Sequence, residues 1–254
     1  MWIDTHAHFD DEAFDKDREA LLRFLPSRGI QTVINPGCTL DSSRMAVEMA
    51  EEFPHVYAAV GIHPENCADF VPEQIGTLRE LAKHPKVVAI GEIGLDYYWP
   101  ENPAPELQKE VLRAQMTLAG EMNLPVIVHD REAHGDTMEI VREFSEVRGV
   151  FHCFAGSAEM AQELVQRGWL LSFNGAITFK NARKAPEVIR AIPLEKIMLE
   201  TDSPYLTPVP YRGERNDSTR IPLVAEKIAQ IKGMAMDEVA QVTTATAKAF
   251  FSLP

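Results

Sequence analysis

Short apolar runs rich in Val, Ile and Phe recur along this chain, each followed by a longer stretch of helical period, and this alternation constrains the fold more than any other feature. A run of that kind with no polar face is the pattern of a parallel strand, because the connections that make strands parallel lay helices on both faces of the sheet. Eight such runs can be counted, at residues 2–5, 32–35, 56–61, 87–92, 126–129, 150–153, 170–173 and 197–200. Between them, Leu107, Val111, Ala114, Leu118 and Met122 are spaced by threes and fours and predict one apolar stripe on the sheet side of a helix. Residues 158–167 and 181–192 read the same way, and two further helices, 223–232 and 236–251, close the chain. Gly29 and Gly168 each follow a helical stretch just before a strand, where a left-handed end cap favours glycine. Eight βα units predict a (β/α)8 TIM barrel of the α/β class, and 254 residues is a length at which one such barrel closes. A single domain, 1–254, is therefore expected.

With 45% hydrophobic and 25% charged residues the chain has the material for a sizeable core, and global disorder is excluded. The opening Met1-Trp2-Ile3-Asp4-Thr5-His6 shows no basic stretch leading into an apolar run, and no segment approaches the roughly eighteen apolar residues of a membrane span. The expectation is a protein neither exported nor membrane-embedded. Cys38, Cys67 and Cys153 have no C-x-x-C spacing, so neither a disulfide framework nor a thiolate zinc site is indicated, and a reducing cytoplasm fits. A net charge of −13 argues against broad electrostatic adhesion to nucleic acid or anionic lipid. An anionic substrate would have to be drawn in locally, by metal.

In a barrel of this type the chemistry sits at the C-terminal ends of the strands. That rule sorts the eight histidines: His6 and His8 end the first strand, His63 follows the third, His129 ends the fifth and His152 lies near the end of the sixth. His55 and His84 precede strands instead, and His134 falls on a helix. Side chains two apart on a strand point to the same side, so His6 and His8 can share one cation. Glu92 closes the fourth run and Asp202 the eighth. Desolvated carboxylates cost several kcal/mol unless paired or ligated, so two of them beside four histidines call for cations. Asp96 is placed to orient a ligating histidine or its own loop. Cys153, one residue past His152, alternates to the opposite face and is expected to pack beneath a helix. The stretch 203–220, rich in Pro, Gly, Tyr and Arg, is long for a connection and reads as a functional loop.

Five motifs occur in order: Asp4-Thr5-His6-Ala7-His8, Gly61-Ile62-His63-Pro64, Gly91-Glu92-Ile93-Gly94-Leu95-Asp96, His152-Cys153-Phe154 and Glu200-Thr201-Asp202-Ser203-Pro204-Tyr205-Leu206. Together they resemble the TatD family of metal-dependent deoxyribonucleases, amidohydrolase-like barrels whose ligands come from strands one, four, five, six and eight. The resemblance implies two divalent ions, magnesium, manganese or zinc. His6, His8 and Asp202 would hold one, His129 and His152 the other, with Glu92 bridging them and Asp202 serving as general base. It further implies that His63 and Arg131 hold a substrate phosphate. The activity implied is 3'–5' exonuclease-like cleavage of DNA, with nucleic acid as substrate rather than stable partner; a small phosphoester, lactone or amide is the alternative substrate. The chain departs from the family pattern at Glu65, where relatives often place a second histidine, and at Asn216-Asp217-Ser218, where they place a proline after Asn-x. Neither departure removes a ligand.

Overall fold

Residues 1–254 are all described by the computed structural model. The chain runs β1 (Trp2–Asp4), α1 (Arg18–Phe24), β2 (Ile30–Pro36), α2 (Leu40–Glu52), β3 (Val56–Val60), α3 (Glu73–Leu81), β4 (Val87–Asp96), α4 (Pro105–Met122), β5 (Val126–Arg131) and α5 (His134–Glu143). It continues through β6 (Gly149–Phe151), α6 (Ala158–Gln166), β7 (Leu170–Phe173), α7 (Lys184–Ala191), β8 (Ile197–Leu199), α8 (Ile221–Lys232) and α9 (Met236–Phe251). The strands form one parallel sheet in the order β1 to β8, which is the (β/α)8 arrangement expected from the alternation. No helix is long and apolar enough to cross a membrane.

Two compact units make up the chain. The first comprises Met1–Asn35, Phe53–Val56 and Cys153–Pro254. Here β1 pairs with β2 through Ile3↔Thr32 and Asp4↔Val33, β7 pairs with β8, and the Thr5 N–H donates to the Leu199 carbonyl at 3.0 Å, tying β1 to β8. Phe9, Phe14, Leu22, Leu25, Ile30 and Ile34 are fully buried beneath it. Each such side chain is worth about 1.5–3 kcal/mol of burial. Gly29 ends the helical turn before β2 at φ 80°, a left-handed cap that a Cβ would strain. α7 begins at Lys184, three residues later than its apolar pattern predicts. Pro186 can occupy only the first turn of a helix, and that fixes where this one starts. The long loop after β8 is pinned from beneath: the Asn216 side-chain amide donates to the carbonyls of Thr201 (3.0 Å) and Tyr205 (2.7 Å).

The second unit comprises Pro36–Glu52 and Tyr57–His152. Its spine is β4, buried at all ten positions. The sequence predicts that this strand stops at Glu92, yet its ladder with β5 continues to Asp96↔Arg131. The reason lies at Gly94, whose φ of 148° lets the two backbones approach so closely that a Cβ there would collide with the His129 carbonyl. The expected stripe on α4 is also rotated. Val111 and Leu118 are buried as predicted, but Leu107, Ala114 and Met122 are only partly covered, and Gln108, Leu112, Gln115, Met116 and Ala119 complete the inner face. The two glutamines are inside because they complete strand ends. Gln108 accepts from the Asp96 N–H (2.8 Å) and donates to its carbonyl (2.9 Å), while Gln115 does the same for Ile62 (2.7 and 3.0 Å). A polar residue counted against the buried face is here the partner that a buried backbone demands.

Candidate metal centre

In the first unit, the H-x-H pattern follows β1, with Ala7 in a single parallel bridge to Ser203, and places His6 and His8 so that their Nε2 atoms face one another at 3.0 Å. Asp202 lies three residues beyond β8 with a left-handed backbone, φ 56°, and brings its Oδ1 to 3.7 Å from both imidazole nitrogens. A non-glycine residue held there is strained by a kcal/mol or so, a cost commonly found where a side chain is aimed for function. Backbone bonds support the aim: the Asp202 N–H donates to the His6 carbonyl at 2.9 Å, and the His8 N–H to the Ser203 carbonyl at 2.7 Å. Beneath them Asp4 is fully buried. It accepts from the Thr201 N–H (2.9 Å), the Thr201 hydroxyl (2.6 Å), the Ser218 hydroxyl (2.6 Å) and the His6 N–H (3.3 Å). Burial pushes its pKa up to about 7, and these donors only partly offset that rise.

In the second unit, the Glu92 carboxylate is the hub. Its Oε1 lies 2.8 Å from His152 Nε2, 3.0 Å from His129 Nδ1 and 3.4 Å from His63 Nε2, and His129 Nδ1 is 3.3 Å from His152 Nε2. His129 turns its other nitrogen outward to Asp96 Oδ2 at 2.9 Å, so the carboxylate fixes the ring orientation. Burial disfavours the charged form of His129, but its hydrogen bonds to the Asp96 and Glu92 carboxylates outweigh it and raise its pKa to about 9. Asp96 is likewise opposed by burial yet held below the usual carboxylate range by His129, the Tyr98 N–H and the Arg131 charge. His63 moves the other way: desolvation lowers its pKa and the neighbouring Glu92 charge recovers only part.

Donor atoms that share one ion at about 2.0–2.2 Å lie roughly 3–3.6 Å from each other. The separations within each group, 3.0–3.7 Å in the first and 2.8–3.4 Å in the second, lie within about 0.2 Å of that range, and both offer the imidazole and carboxylate donors that divalent metals take. All six residues expected as ligands therefore lie in one group or the other. His63, expected on the substrate, joins the Glu92 group. Arg131 does not; its guanidinium lies over the Tyr98 ring, 3.8 Å from the centroid. His84 pairs with Glu51 at 3.2 Å and joins neither group.

The expectation for Cys153 needs correction. β6 ends at Phe151, so strand alternation does not reach Cys153, which sits at φ 45° and lines an open cavity of about 450 Å³ with Phe154, Phe173, Asn174 and Ile177. Its N–H donates to Glu200 at 2.8 Å, and Glu200 also accepts from the Asn174 amide (3.0 Å) and the Ser172 hydroxyl. Asp4 and Glu200, both 0% exposed, are the residues that sequence reasoning missed. A signal was present: each stands two residues from a proposed ligand, His6 or Asp202, in the same motif.

The sequence profile described as TatD related DNase matches residues 3–252. The chain is 43% identical to "Uncharacterized metal-dependent hydrolase YabD" of Bacillus subtilis over 100% of both chains. It is 39% identical to "Uncharacterized metal-dependent hydrolase YcfH" of Escherichia coli over 95% of this chain and 92% of that one. Among solved structures, YJJV, a TATD homolog from Escherichia coli K12, superimposes with a TM-score of 0.92 at 32% identity, covering 100% of this chain and 98% of that one. With an eight-stranded α/β barrel, two histidine–carboxylate groups and these relatives, the chain belongs to the TatD family of metal-dependent hydrolases.

Proposed function

We propose that the protein is a two-metal phosphodiesterase that cleaves DNA in the 3'–5' exonuclease manner. The carrying observation is the presence of two donor groups, His6–His8–Asp202 and Glu92–His129–His152, each at spacings suited to one ion. Two divalent ions, when bound, supply Lewis acidity toward a phosphoryl oxygen and lower the pKa of water. The chain's residues do the rest. Asp202, with its carboxylate 15% exposed, is the proposed general base that takes the proton of the attacking water. Glu92 would bridge the ions when they are bound, and its negative charge would offset their mutual repulsion. Asp96 keeps the His129 ring turned so that Nδ1 remains available. His63, neutral through burial, and Arg131, a planar guanidinium, are the proposed phosphate contacts. Family membership supports the nuclease reading, and three cysteines, none of them in a disulfide, support a cytoplasmic setting.

The acidic surface favours a second reading, hydrolysis of a small phosphoester, lactone or amide on the same residues. One experiment separates the two. Purified protein is assayed for bound metal by elemental analysis, then offered single-stranded oligonucleotides, chromogenic phosphoesters, lactones and amides with magnesium, manganese or zinc. Release of mononucleotides supports the nuclease; turnover of small esters alone supports the second reading; bound metal without any hydrolysis refutes both.

A further inference from the structure

An exposed aromatic surface stands beside the Glu92 group and has no structural task. Tyr98 and Trp99 follow β4 directly and are 49% and 43% exposed, their rings packed edge to face with centroids 4.7 Å apart. The Arg131 guanidinium caps them, 3.8 Å from the Tyr98 ring centroid and 5.3 Å from that of Trp99. A planar cation on an electron-rich face is held by cation–π attraction without using its N–H groups. No protein acceptor claims those N–H groups and no carboxylate pairs with them, although the chain carries 38 acidic residues to 25 basic ones. The guanidinium is thus oriented, charged and open at its hydrogen-bonding edge.

The surface is also fixed with respect to the Glu92 group, within the same unit. The Tyr98 N–H donates to Asp96 Oδ1 at 2.9 Å and the Asn102 amide to the same oxygen at 3.1 Å, while Asp96 Oδ2 holds His129. The Tyr97 N–H donates to the Arg131 carbonyl at 2.9 Å, and Pro100 and Pro103 stiffen the loop that follows. One carboxylate therefore anchors both a proposed metal ligand and the base of the aromatic loop.

We propose that Tyr98, Trp99 and Arg131 form a subsite for one nucleotide unit, in which an unpaired base stacks on the exposed rings and the adjoining phosphate takes the open edge of the guanidinium. The chemistry on offer, an aromatic face beside an unclaimed bidentate cation, matches a ligand that is planar at one end and anionic at the other. A base within a duplex has both faces covered by its neighbours, so the subsite selects single strands and frayed ends. The proposal rests on the phosphodiesterase reading for its substrate, and it adds what recognises the base.

The test uses the manganese-loaded enzyme with a ten-residue thymidylate oligomer and a base-free deoxyribose-phosphate oligomer of the same length. Wild type should show the lower KM for thymidylate. Trp99→Ala should raise that KM roughly 10-fold, a typical loss for one stacked base, and bring the ratio of the two KM values toward one. Trp99→Phe, which keeps a ring, should restore most of the preference. Independently, thymidine 5'-monophosphate added to metal-free protein should quench tryptophan fluorescence in wild type and not in Trp99→Phe. Arg131→Lys, which keeps the charge without the planar fork, should weaken that binding several-fold as read by calorimetry. If thymidylate and base-free oligomers have equal KM in wild type, or Trp99→Ala changes neither the ratio nor monophosphate binding, the subsite does not exist. Should the monophosphate quench Trp99 while no oligonucleotide is cut, the subsite stands and the phosphodiesterase reading falls.

Discussion

The two donor groups offer the same atoms and are built in opposite ways. His6 and His8 come from one strand end, two residues apart, and need only Asp202 from a second strand to complete a three-donor set. The Glu92 group instead collects one residue from each of four successive strands, β3 to β6, or from the segment just after the strand, around a single carboxylate oxygen. Support differs in the same sense. Asp4 braces the first group through backbone and hydroxyl donors, touching His6 at its N–H, whereas Asp96 braces the second through an imidazole nitrogen directly. A group built locally keeps its geometry from the strand itself; a group built from four strands keeps it from the hub.

This contrast predicts which variants matter most. Glu92→Gln preserves shape but removes the charge about which three histidines gather, so turnover should fall by several orders of magnitude and metal content should drop, as elemental analysis would show. His6→Ala combined with His8→Ala should also abolish turnover, with circular dichroism and thermal unfolding of the metal-free protein little changed. Were Glu92→Gln to retain normal metal content and rate, the hub assignment would be wrong.

Asp96→Asn tests the bracing. The amide can still accept a hydrogen bond but no longer carries the charge that polarises His129, and loss of such an outer partner typically costs 10–100-fold in metal affinity or rate. A change no larger than twofold in both would mean that the hub alone orients the ring.

The same contrast governs what was legible from sequence. Eight strands, their order and the H-x-H pair were readable because each depends on neighbours within a few residues: β-branched runs, helical spacing, period two. Glu92, His129 and His152 became readable only through the rule that barrel chemistry collects at strand ends, together with the ordered motifs, since nothing local joins positions so far apart in the chain. What stayed hidden was polar burial. Gln108, Gln115, Asp4 and Glu200 look like surface residues by type, and each is inside because a backbone or hydroxyl group across a long stretch of chain requires a partner. Strand ends near a site were misread for a related reason: β4 runs past Glu92 because Gly94 admits the neighbouring backbone, which no alternation of polar and apolar residues reports.

Gln115→Ala probes that hidden layer. It would leave the N–H and carbonyl of Ile62 buried without partners, costing about 1–3 kcal/mol. Urea unfolding should show the lower midpoint, with KM and kcat moved less than by Asp96→Asn. A midpoint equal to wild type would show that water or a repacked side chain replaces the amide.

The smallest effect is expected where the late loop is tied down on the side of the first group. Arg215 donates to both carboxylate oxygens of Asp17 at 2.7 Å and to the Ala13 carbonyl at 2.8 Å, with its guanidinium 4.6 Å from the Phe14 ring centroid. The pair is well formed but substantially exposed, so Asp17→Asn should cost only about 0.2–1 kcal/mol. Its pH dependence carries a definite sign. The hydrogen bond and charge of Arg215 lower the folded pKa of Asp17 below its ordinary 3.8. The stabilisation is therefore fully present above the unfolded value and is lost as pH falls through the folded one. Thermal unfolding of wild type and Asp17→Asn should differ by a few degrees at pH 7, and the gap should close as the pH drops below about 4. Added salt should narrow it as well, because exposed charges are screened. A gap that stays constant from pH 7 to pH 3 would show that the contribution comes from packing of the Arg215 stem on Phe14 rather than from the ion pair, and the tether of the late loop would then be apolar.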